Sequence, residues 1–248
     1  MTISDKAWNN YIKKLGTINK KAADLVKKYI DKYGTQNLNS ETFTTFIYGI
    51  TGTFGNAAAA LTATFYDAIT EAEGLILPAA EIAEMASYEE VASALKGTLK
   101  TSQNANNISG MATRFIKRQG QDTMLKNAIR DRAEFAWIPH GDTCPFCLTL
   151  ASNGWQPISK NALKNGHAEH IHANCDCAYA IRHKETTNYA SYNPQKYKDI
   201  YDEAEGDNAQ EKINYMRRQQ YAENKDKINA QHREAYRLRK EAEAEKEA

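Results

Sequence analysis

All four cysteines of this 248-residue chain lie between Cys144 and Cys177, and three of its six histidines, His167, His170 and His172, stand among them. That crowding constrains the chain more than any other feature. The run Cys144-Pro145-Phe146-Cys147 is a Cys-x-x-Cys turn, which sets two thiolates within reach of one tetrahedral ion. The amides of such a turn can also donate hydrogen bonds to the sulfurs and favour the deprotonated form. On the return pass, His172-Ala173-Asn174-Cys175-Asp176-Cys177 repeats the short spacing. The two pairs would clamp the loop between them around a zinc ion. The ligand set read from this pattern is Cys144, Cys147, His172 and Cys175. Cys177 is the alternative ligand, because on a strand it would point to the same side as Cys175. His167 and His170 read as loop residues or as outer partners of the ligands.

Four protein ligands close the tetrahedron, whereas hydrolytic zinc keeps a position for water, so the site is expected to be structural. If only three groups bound the ion, Glu169 and Asp176 would become candidate bases and a packaging-associated nuclease would be the alternative reading. Deamination is disfavoured, because His167-Ala168-Glu169 follows the Cys-x-x-Cys rather than preceding it. A redox role for Cys144 and Cys147 lacks the surrounding βαβ pattern. A disulfide framework would need an oxidising compartment, and Met1-Thr2-Ile3-Ser4-Asp5-Lys6 lacks the charged-then-apolar pattern of a secretory signal. No catalytic residue and no small-molecule substrate are assigned.

The flanks read as helices. Ser4 is an N-cap, with Trp8, Tyr11, Ile12, Leu15, Ile18, Leu25, Val26 and Ile30 at helical spacing and Gly34 as the stop. Ser40-Glu41 opens a second helix, and Ala57 to Ala72 reads as a separate one after Gly49, Gly52 and Gly55. Helical pattern resumes at Ser87 with Val91, Leu95 and Leu99 inward. Another helix is expected from about Ser109 to Phe135, with Met111, Phe115, Met124, Ala128 and Ile129 facing in. Short strands are expected near Trp155-Gln156 and Ala178 to Ile181. From Thr42 to Tyr66 no side chain is charged, but the glycines, threonines and Asn56 dilute its apolar character, so it reads as buried helix and no membrane partner is expected.

The fold class is therefore mainly α with a small α+β zinc-binding module. Residues 1–135 form the helical N-terminal region, 136–183 the Cys/His module and 184–248 a charged helical tail. The formal net charge of +1 predicts no large polyanion partner for the whole chain. From Glu211 onward, positive and negative charges roughly balance, which favours a protein partner for the tail over DNA.

The run Ala136-Trp137-Ile138-Pro139, the run from Gly141 through Cys144 and Cys147 to Trp155, and Ile171-His172-Ala173-Asn174-Cys175-Asp176-Cys177 together resemble the minor head proteins of tailed bacteriophages related to the Mu F protein. The match covers Arg132 to Ile181. This resemblance implies a minor capsid protein of the virion, inside the head or at the portal vertex, that assists head assembly, DNA packaging or ejection. It implies portal or other head proteins as partners, with packaged DNA as a further one. An unrelated zinc-ribbon binding module is the remaining alternative.

Overall fold

The computed structural model describes residues 1–141, 143–158 and 177–247. Helix α1 (Asp5–Tyr33) starts where expected: Ser4 accepts from the Ala7 amide, and Gly34, at φ 71°, ends it. Trp8, Tyr11, Ile12, Val26 and Ile30 are buried along one face, whereas Leu25, expected inward, is 41% exposed.

Helix α2 runs unbroken from Glu41 to Ala72, so the two helices expected from the sequence are one. The glycines do not interrupt it; they let neighbours approach. A Cβ on Gly52 would lie 2.9 Å from the Met85 methyl carbon, and one on Gly55 would lie 2.2 Å from Gln119 Oε1. Helix α3 (Tyr88–Thr101) is capped by Ser87 and buries Val91, Leu95 and Leu99.

Helix α4 (Ala105–Arg130) begins and ends earlier than its periodicity suggests. Its end is a turn in which the Ala133 amide bonds to the Ala128 carbonyl at 2.8 Å and Arg132 takes φ 57°. That left-handed position usually holds glycine, so the stop carries no sequence signal. Glu134 and Phe135 then enter a strand. One face of α4 carries Gln119, Thr123 and Asn127, one turn apart and buried. Their side chains bond the backbone of the extended connection that precedes α3. Asn127 exchanges two 2.8 Å bonds with Glu81, Thr123 accepts from Ala83 N at 3.0 Å, and Gln119 donates to Ala83 O at 3.0 Å. A polar stripe thus serves as a hydrogen-bonding edge for a segment with no strand partner.

Strand β2 (Glu134–Ile138) lies between β3 (Gln156–Pro157) and β4 (Ala178–Arg182), antiparallel to both. Helix α5 (Pro145–Ser152) sits between β2 and β3 in sequence. Strand β1 (Thr2–Ile3) pairs in parallel with β5 (Asn188–Tyr189). Helices α6 (Pro194–Glu203) and α7 (Ala209–Glu247) complete the chain, giving seven helices among the described residues. None of these is long and apolar enough to cross a membrane.

Two main apolar clusters fill the body. One holds Val26, Phe43, Ile47, Leu95 and Ile116 between α1, α2, α3 and α4. The other joins Trp8, Tyr66 and Met124 from the helices to Trp137, Ile138, Tyr179, Ile181 and Tyr189. The sheet region completes a core that the helices supply.

A polar chain locks this junction. The Glu73 carboxylate, with no exposed side-chain surface, accepts from the His183 amide at 3.2 Å and from His183 Nδ1 at 2.7 Å. The Tyr66 hydroxyl donates to Asp131 Oδ2 at 2.7 Å and lies 3.1 Å from His183 Nε2. The Arg130 guanidinium pairs with the same Asp131 and donates to the carbonyls of Pro78 and Ala79. Burial alone would raise the Glu73 carboxyl, but its hydrogen bonds from His183 outweigh that and hold it below its ordinary value of 4.5. Asp131 behaves likewise, burial being outweighed by Arg130 and Tyr66.

Because both folded carboxyls titrate below their unfolded values, the stability they contribute is fully present at neutral pH and drains away as pH falls below about 4. Glu73→Gln is expected to cost about 2–4 kcal/mol at pH 7 and clearly less at pH 3.5. Denaturant titrations at the two pH values check this; a penalty that stays constant with pH would contradict the ionised clamp.

Candidate metal centre

The Cys-x-x-Cys turn is the N-terminus of α5. Cys144 occupies the N-cap with φ −73° and ψ 155°, Pro145 fills the first helical position, and Cys147 falls in the first turn. Proline is suited there because its missing N–H would be unpaired in any case. The Cys144 side chain does not cap the helix. Cys147 is buried at 1% exposure and Cys144 is half-buried, so both sulfurs sit at the positive end of a helix against apolar neighbours.

Cys177 reaches the same region from the other direction. The β2–β4 register pairs Ile138 with Ala178, which sets Cys177 opposite the chain as it leaves β2. The His140 amide donates to Cys177 Sγ at 3.4 Å, and the residue is buried. Cys144, Cys147 and Cys177 all join the apolar cluster at the sheet, and no disulfide links them. Burial, and then Cys177, raise the Tyr197 hydroxyl, while burial, and then Asp122 and Cys147, raise that of Tyr179, so both are neutral phenols.

Among the described residues, no three His, Cys, Asp or Glu side chains come together closely enough to hold a metal ion. Cys177 therefore does not complete a centre with Cys144 and Cys147 alone. His172 and Cys175, together with His167, Glu169, His170 and Asp176, lie outside the described residues. The described sulfurs that could contribute to a soft, borderline cation such as zinc are those of half-buried Cys144 and buried Cys147 and Cys177.

Sequence reasoning did not anticipate the two buried groups beside this region that lack partners. Among the described residues, Trp137 Nε1 and Tyr179 Oη find no hydrogen-bond partner. The rings meet edge to face with centroids 4.6 Å apart. The alternation of β2 and β4 places both residues on one face, but nothing in a strand pattern reveals whether a hydroxyl finds an acceptor.

The fold and this geometry can be set beside known proteins. A family model described as VG15 protein matches residues 2–204. The chain belongs to the VG15 protein family. This is a family of phage gene products, and the match takes in everything from β1 to the end of α6, including both arms of the cysteine region. It stops before α7. No curated protein and no solved structure matches the chain.

Because an unpaired buried hydroxyl costs about 1–3 kcal/mol, Tyr179→Phe is expected to raise stability by about 1 kcal/mol in thermal or denaturant unfolding. A drop of that size or more would mean that the hydroxyl is bonded in solution.

Proposed function

We propose that this chain is a non-catalytic minor component of a phage head, acting near the portal in head assembly, DNA packaging or ejection. In this reading Cys144, Cys147, His172 and Cys175 hold a structural zinc, with Cys177 as the alternative ligand. The observation that carries it is membership of a phage protein family over a span that includes the Cys-x-x-Cys turn and the return pass. The resemblance of residues 132–181 to Mu F-related head proteins narrows the role from phage protein to head protein.

The local chemistry supports the metal. Cys144 and Cys147 sit together at a helix N-terminus, where cysteine sulfurs are readily deprotonated, and an amide hydrogen bond already reaches Cys177. When bound, zinc supplies a rigid cross-link between the β2–α5 corner and the segment leading into β4. The chain's own residues do the rest. Proline at the first position of α5 fixes the entry angle, and the β2–β4 ladder sets the register of the return strand. Aromatic residues exclude water from the sulfurs. A small stiff corner on a helical body is suited to docking on a larger assembly, whose partners in this reading are portal or other head proteins.

Two measurements test the proposal separately. Purified particles and assembly intermediates of the encoding phage are expected to contain the chain in few copies; its absence from both would end the head-protein reading. Elemental analysis of the purified chain is expected to give about one zinc per chain. Cys144→Ser and Cys175→Ser should each lose it while Cys177→Ser keeps it. Full zinc content in Cys144→Ser would refute the ligand set.

A further inference from the structure

The near-balance of charge over the C-terminal tail conceals a strong segregation. Residues 212–240 carry nine lysines and arginines against three acidic residues, a net charge of +6. Residues 241–247 carry four glutamates and one lysine, a net charge of −3, and residues 1–211 sum to −2. Helix α1, of the same length, carries eight lysines against three acidic residues, so residues 212–240 are one of two strongly basic helical stretches.

Among the described residues, that stretch is anchored mainly through its first turns. Ile213 and Met216 are buried against Phe146, Leu148, Ile200 and Tyr201, and Gln220 donates to the Thr143 carbonyl at 3.0 Å. From Tyr221 to Arg237 the side chains are exposed, except for half-buried Ile228 and Asn229. At 100° per residue, Arg218, Lys225, Arg233 and Lys240 fall within a sector of about 80°, on the side of α7 away from Ile213 and Met216. All four are exposed. They recur about every 10–12 Å along the axis. Tyr236 lies in the same sector and is 63% exposed. A helix so polar on every side buries little apolar surface, and the four cations face solvent.

We infer that this outward face of α7 binds the phosphodiester backbone of a nucleic-acid duplex, without sequence preference. A row of cations at regular spacing, with no apolar seam beside it, complements a regularly spaced polyanion and gives a protein surface little to bury. Four neutralised phosphates release condensed counterions, so affinity should fall with salt as about the −3.6 power, or about a hundredfold between 50 and 200 mM. The inference does not depend on the zinc site or on the head-protein reading, and α7 lies beyond the span that the family model matches.

The test is fluorescence anisotropy of the full chain with a labelled duplex of mixed sequence over that salt range. The quadruple variant Arg218→Gln, Lys225→Gln, Arg233→Gln, Lys240→Gln is expected to lose most of the salt dependence and at least about tenfold in affinity at 100 mM salt. The charge-matched variant Lys13→Gln, Lys14→Gln, Lys21→Gln, Lys28→Gln on α1 should bind like the parent. The variant Arg218→Lys, Arg233→Lys, which preserves charge, should also bind like the parent. An unchanged salt slope in the α7 quadruple variant would overturn the inference, as would an equal loss in the α1 variant. Tighter binding of labelled polyglutamate than of the duplex would overturn it in favour of an acidic protein surface.

Discussion

A carboxylate with no exposed side-chain surface cannot stay ionised unless donors converge on it, and Glu73 meets that requirement with groups drawn from the far end of the chain. Its partners are the backbone and ring of His183, while the carbonyl of Glu73 takes the Lys184 ammonium. The end of α2 is thereby tied to the end of β4. Through Tyr66 and Asp131 the tie extends to the end of α4 and the guanidinium of Arg130. Because β4 is fixed in this way, its register against β2 is fixed, and with it the position of Cys177 beside His140.

Much of the helical frame was legible because its signals are local. Ser4, Ser40 and Ser87 each precede a helix and each accepts a backbone hydrogen bond in its first turn. What could not be read depends on contacts between distant residues. Gly52 and Gly55 look like breaks until Met85 and Gln119 are seen against them. Gln119, Thr123 and Asn127 look like a solvent face until the 81–83 backbone is laid along them. Glu73 and His183, 110 positions apart, carry no pattern that would pair them.

The cysteine region divides the same way. The Cys144–Cys147 turn was legible as a local turn because its geometry is set within four residues, and it forms the start of α5. The approach of Cys177 follows from strand register, which a sequence pattern restricts but does not choose. His172 and Cys175, proposed from spacing alone, lie outside the described residues. The C-terminal helix was legible as charged, but averaging over its whole length hid the division into a basic shaft and an acidic tip.

The pairing of β1 with β5 bears on how the molecule is made. Thr2 meets Asn188 and Ile3 meets Tyr189, so this two-rung ladder cannot close until nearly two hundred residues have left the ribosome. The contacts among α1, α2 and α4 can collapse well before then, leaving Trp8 waiting for an aromatic partner, Tyr189, that arrives late. During synthesis the nascent helices would present an unfinished apolar edge, sealed only when the last part of the core is delivered.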